Sequence, residues 1–277
     1  MAIRFSYDTG TFEIGRYRGA PVVVSPLFFL TAMALALPFW RSFDLRGLAL
    51  TAMFLAIFFA SILLHELAHA YVATRYRVRV SRIELNVMGG LVHFWGLPRT
   101  MRQDFFITAA GPLSNLVIGL AALALLWPMP PIRATVELVD NRFVTHLPGM
   151  LPEILRATAY LNLGLCAVNM LPGIPLDGGK LLYLLVERRW NARIAMLTVS
   201  ALGSVFGLMT SLLFLSTLIA GCPVWAPPSF RTNWEAPGGA AGPEQLERGG
   251  VLARERRRLP FQGFLNGLLK NFEPLSP

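Results

Sequence analysis

The chain has 277 residues, 54% of them hydrophobic and 15% charged, with a mean hydropathy of +0.52. A water-soluble domain carries about a quarter charged residues, so the composition excludes an ordinary soluble protein and favours one that crosses a bilayer several times. The net charge of +9 is almost all arginine, Lys180 and Lys270 being the only lysines; such an excess belongs in cytoplasmic loops and against anionic headgroups, and nucleic acid is not an expected partner.

In chain order, residues 1–20 alternate weakly through Ile3, Phe5, Tyr7, Phe12 and Ile14 and carry Arg4, Arg16 and Arg18. They read as a short extended leader at the cytoplasmic surface. A first apolar span follows over about 22–40, starting behind Pro21 and ending at Trp40. It lacks a small-residue cleavage site and reads as a retained helix, not a signal peptide. A second span, about 48–72, has no charge from Leu48 to Leu64 and then carries His65-Glu66-Leu-Ala-His69. Arg75, Arg77, Arg79 and Arg82 form the densest basic cluster beside any span and put its end on the cytoplasmic side.

The period then changes to two over 77–95, with Gly89-Gly90 at the turn, which predicts a β-hairpin between the second and third spans. Bare backbone in lipid is costly, so such a hairpin must be covered or line a wet cavity. Its edge either pairs with an extended peptide or serves a structural role. The third span, about 104–127, contains Ala109-Ala-Gly-Pro-Leu-Ser-Asn115, where Gly111-Pro112 predicts a kink and Asn115 either packs by a hydrogen bond or faces a site. The Pro-rich stretch 128–152 reads as an outer loop.

A fourth span, about 153–171, runs into Asn169-Met-Leu-Pro-Gly-Ile-Pro-Leu-Asp177-Gly-Gly-Lys180, whose breakers unwind it near membrane depth. Residues 194–226 hold one or two further spans. The expected fold is therefore an all-α polytopic membrane protein of five or six helices with one small membrane-associated hairpin, its core at 21–230. Residues 231–277 add a linker and a basic amphipathic tail suited to an anionic membrane surface. Cys166 and Cys222 suggest neither a disulfide nor a thiolate site.

The chemistry centres on the second span. Two histidines four apart share one helix face and can reach one metal ion, and the glutamate after the first has the usual place of a general base. Ionisable residues inside an apolar helix are expensive and mark function. A catalytic zinc takes three protein ligands and keeps one position open. His146 falls in the outer loop, and His93, after the hairpin turn, stays a candidate. Glu84 lies in a strand pattern. Among the aspartates, Asp177 sits in the unwound end of a span that runs in the same direction as the second, at comparable depth. It can ligate, or it can cap the helix that follows.

Together these three stretches resemble the site-2 protease family of intramembrane zinc metalloproteases, over about residues 12–220; the Gly89-Gly90 hairpin and the Ile14-Gly-Arg leader are also similar. The resemblance implies one zinc per chain held by His65, His69 and Asp177, a water activated by Glu66, and Asn169 steadying the substrate carbonyl. Asn115 would line the site, and the hairpin would receive substrate. It further implies membrane protein substrates cut within a transmembrane segment, while the basic loops after the second and fourth spans place the site towards the cytoplasmic side of what reads as the cell membrane. The chain carries no PDZ insertion between its spans and no cystathionine-synthase-like pair after them, leaving any regulatory membrane partner unidentified. The competing reading is a transporter or metal carrier using the same ligands, which would be expected to show an internal repeat.

Overall fold

The computed structural model describes residues 4–6, 10–36, 45–87, 89–96, 98–129, 135–139, 142–146 and 150–219. The chain forms two compact units, Met1–Val168 and Asn169–Pro277. The linker and tail expected over 231–277 lie outside the described residues.

The first unit opens with strands β1 (Arg4–Ser6), β2 (Thr11–Tyr17) and β3 (Ala20–Val24), then helices α1 (Pro26–Ala36) and α2 (Leu45–Arg75). Strands β4 (Arg79–Asn86) and β5 (Gly89–Trp95) follow, then α3 (Met101–Leu126). The expected extended leader is thus part of a real sheet. All five strands join in sequence order, with β3 parallel to β4 (Val22 opposite Ile83, Val24 opposite Leu85) and the other pairs antiparallel. The hairpin expected alone is the far half of that sheet. The start of the expected first span is strand, because Val22 and Val24 point to the core while Val23 does not, a period of two.

One face of the sheet is covered by α2 together with α1. Val22, Ile83 and Val92 pack with Ala70, while Val24 and Leu85 pack with Phe28, Ala32, Phe58 and Ile62. These are β-branched or aliphatic residues at alternate strand positions against a helix face, which is what fixes strand register. Gly89 begins β5 opposite Asn86 with φ +118°, a backbone state closed to residues with a Cβ.

The end of α2 is built by backbone hydrogen bonds from Arg77 N to Thr74 O and from Val78 N to Ala73 O. Arg77 takes the left-handed position (φ +61°), and Ala73 meets Val78 in one small apolar cluster. That is a Schellman ending, with arginine where glycine is commoner. It stops the helix two turns after His69 and feeds the chain into β4. At the start of α3, Thr100 caps by accepting from Gln103 N, and Gln103 Oε1 accepts from Arg99 N.

Beyond α3 the Pro-rich stretch expected to be loop holds a second antiparallel hairpin, β6 (Thr135–Val139) and β7 (Arg142–His146). Helix α4 (Met150–Asn169) then returns to α2, where Asn162 Nδ2 donates to Ser61 Oγ at 2.9 Å. Both residues are buried, and Ser61 lies one turn before His65.

The second unit begins where α4 ends. Residues 170–176 are non-helical, then α5 (Asp177–Arg189) and α6 (Ala192–Ile219) pack together. Three helices in the described residues are long and apolar enough to cross a membrane: Gly47–Arg75, Met101–Leu126 and Ala192–Leu212. The five or six expected draw also on residues 37–40 and 220–226, which lie outside the described residues. The described part of α1 has 11 residues, too short to span, and α4 carries Glu153 and Arg156. The run expected to hold one or two spans is a single unbroken helix as far as Ile219.

Candidate metal centre

In the first unit the site is built by α2 and α3. His65, Glu66 and His69 are all buried, at 6%, 5% and 8% exposure. Helical spacing stacks the two imidazoles one turn apart, their rings nearly perpendicular. Each is then held from α3. His69 Nδ1 lies 2.7 Å from the carbonyl oxygen of Ile107, and His65 Nδ1 lies 3.2 Å from Asn115 Oδ1. A carbonyl only accepts, so the proton of His69 is on Nδ1 and its lone pair on Nε2. With the Asn115 oxygen as acceptor, the same holds for His65.

The two Nε2 atoms face each other at 3.1 Å. Two nitrogens each about 2.0–2.1 Å from a tetrahedral zinc would be about 3.3 Å apart. Lone pairs set that close repel, and a cation shared between them is what turns the repulsion into binding. Tautomer, orientation and spacing therefore fit a divalent metal.

Two glycines make room for this chemistry. A Cβ built on Gly111 would overlap His65 Nε2 and His69 Nε2, so α3 approaches the ligand atoms as closely as it does only because position 111 has no side chain. A Cβ on Gly90 would overlap Cγ, Cδ and Oε1 of Glu66, so β5 lies directly against the carboxylate. Ile107, Gly111 and Asn115 recur every four residues on one face of α3. The sequence marks Gly111 only as part of a kink and gives no sign of Ile107. The spacing was there to be read, but a backbone carbonyl leaves no signature in residue type.

His93, kept as a candidate ligand, is engaged elsewhere. Its Nε2 lies 3.2 Å from Glu84 Oε2, which also pairs with Arg82 at 3.0 Å. Neither His93 nor Glu84 belongs to a metal-competent donor group among the described residues. His146 lies in β7.

In the second unit, Asn169 is the last residue of α4 and Asp177 the first of α5. The chain between them doubles back tightly. A Cβ on Gly178 would overlap the backbone of Met170 and Leu171, and one on Gly179 that of Gly173. The Gly-Gly pair after Asp177 is what lets the turn close. The position before α5 is taken by Leu176, with no side-chain cap hydrogen bond, so Asp177 is not the N-cap its alternative reading required. Its carboxylate is half-buried and offers one oxygen of the kind a divalent metal takes, as His65 and His69 each offer one nitrogen.

The sequence profile of Peptidase family M50 matches residues 53–215, more than half of the chain. A relative from Synechocystis is 30% identical over 221 residues, covering 75% of this chain and 52% of its own. Zinc metalloprotease MJ0392 of Methanocaldococcus jannaschii is 29% identical over 140 residues, 50% of this chain and 36% of its own. The chain thus spans about half or less of the length of these curated relatives. Among solved structures, the site-2 protease from Methanocaldococcus jannaschii superposes with a TM-score of 0.52 at 21% identity, covering 75% of this chain and 86% of that one. That likeness shows a shared fold.

Proposed function

Because this chain belongs to peptidase family M50, the site-2 protease family, we propose that it is a zinc-dependent metalloendopeptidase that hydrolyses a peptide bond within or near a transmembrane segment of membrane protein substrates. The observation that carries the reading is the pair of Nε2 atoms facing each other at 3.1 Å, with a buried glutamate between the two histidines in sequence. The ligands are His65, His69 and Asp177, holding one zinc per chain. Their support is the donor set itself, two neutral imidazoles and a carboxylate, the composition of a catalytic zinc site that keeps a position open.

When bound, the zinc supplies Lewis acidity that polarises the scissile carbonyl and makes water easier to deprotonate. The rest is the work of the chain. Glu66 takes a proton from the attacking water and returns it to the departing amine. Asn169 donates to the carbonyl oxygen as charge develops there. β5 is the last strand of its sheet, and Gly90 on it lies against Glu66. An unwound substrate segment adding beside β5, at Gly89 and Gly90, would have its backbone held as a strand close to the general base. A helical substrate hides its carbonyls, so unwinding must precede the cut.

The site is on the cytoplasmic side of the cell membrane, a reading supported by Arg75, Arg77, Arg79 and Arg82 just after α2. Substrates are membrane proteins cut in regulated intramembrane proteolysis or in clearance of membrane remnants. The name of the Methanocaldococcus relative, a zinc metalloprotease, favours this over a metal carrier. The test is Glu66→Gln in the purified protein. It is expected to cut cleavage of a single-span substrate by about 10²–10⁴-fold while zinc content stays at the wild-type level. Undiminished cleavage would remove Glu66 as the base.

A further inference from the structure

Asn115 is wholly buried on α3, and the reaction as proposed makes no use of it. Its side chain is at 0% exposure. Its amide oxygen faces two donors, His65 Nδ1 at 3.2 Å and Ser114 Oγ at 3.4 Å, while Nδ2 has no hydrogen-bond partner. An amide kept for packing alone would turn its donor towards an acceptor. This one leaves its donor unsatisfied and keeps its oxygen on the histidine.

Turning the amide over has a definite consequence. The NH2 group would face His65 Nδ1, which would need a lone pair there, and the ring proton would move to Nε2. A proton on Nε2 removes His65 as a ligand through that atom and points a hydrogen at His69 Nε2, 3.1 Å away. The orientation seen is the one in which both histidines present lone pairs to the same point. His69 gets the same service from the carbonyl of Ile107, which no substitution removes. His65 gets it from a side chain, so here the support can be taken away.

We infer that Asn115 is a positioning residue for the metal: its Oδ1 fixes the tautomer and ring orientation of His65 and thereby sets how tightly, and for how long, a divalent cation is held. This rests on the metal reading above but not on peptidase activity. Groups that orient ligating histidines commonly change metal affinity by 10–100-fold when removed.

The experiment measures zinc affinity, and the rate of zinc loss to a chelator, for the full-length chain in detergent. Wild type is compared with Asn115→Leu, which keeps the branched shape and removes the acceptor, and with Asn115→Asp, which replaces the amide oxygen with a charged acceptor. Asn115→Leu is expected to bind zinc about 10–100-fold more weakly and release it faster. Asn115→Asp is expected to bind more tightly and release more slowly than wild type. Equal affinity in Asn115→Leu, or no tightening in Asn115→Asp, overturns the assignment. The aspartate variant decides alone should the leucine variant fail to fold. Failure of wild type to bind zinc would instead overturn the metal reading itself.

Discussion

His65 and His69 can share a metal because position 111 of the neighbouring helix is empty of side chain. A methyl group there would take the space of both Nε2 atoms. Gly111→Ala should therefore lower zinc affinity by at least about 10–100-fold, read by metal analysis after dialysis against a weak chelator. Gly90→Ala should behave differently. Its methyl meets Glu66 and not the histidines, so zinc should stay while cleavage falls. Equal zinc loss in both variants would contradict the division of labour between α3 and β5. Asp177→Ala should bring zinc well below one per chain; unchanged zinc would reopen the search for a third ligand, with His93 first. That His65 and His69 face each other was legible from spacing alone, because a helix puts residues four apart on one face. Gly111 was read as a kink, since its role depends on what another helix brings up against it. The Ile107 carbonyl could not be read at all.

Among the elements, the hairpin of β4 and β5 was legible because its alternation is local and its turn carries Gly89-Gly90. The sheet it belongs to was not. β3 meets β4 in parallel only after α1 and α2 have crossed over, and the weak alternation of the leader gives no hint of a partner some sixty residues on. For the same reason the beginning of the expected first span was read as helix: Val22, Val23 and Val24 are apolar in either structure. β6 and β7 were hidden by the prolines around them. On the outer part of the sheet, the hydrogen bond from His93, chiefly, with Arg82 assisting, holds the Glu84 carboxyl below its ordinary value against the opposing effect of burial. A carboxylate whose pKa is lowered by folding stabilises the fold above its unfolded pKa, and that contribution is lost as pH falls through the lower, folded value. His93→Ala should raise the Glu84 pKa and start acid unfolding at a higher pH, followed by circular dichroism in detergent. An unshifted acid transition would mean the pair contributes nothing to the sheet.

For the whole molecule, composition pointed to a membrane protein, and the three apolar helices of the described residues and membership of peptidase family M50 support it. Hydropathy alone does not mark where each span begins, because an apolar run can open as a strand packed on a helix, as Val22 and Val24 do, and α4 mixes Glu153 and Arg156 with apolar residues. As proposed, a zinc held by His65, His69 and Asp177 serves a cut made inside or beside a membrane segment. The measurement that tests it most directly reconstitutes the full chain in vesicles with a single-span membrane substrate. Cleavage is then mapped by mass spectrometry with the zinc present, stripped by a chelator, and restored. The expected result is a cut within or next to the hydrophobic segment that disappears on stripping and returns with zinc. Cleavage that survives complete zinc removal, or cuts only in the substrate's water-exposed domains, would contradict it.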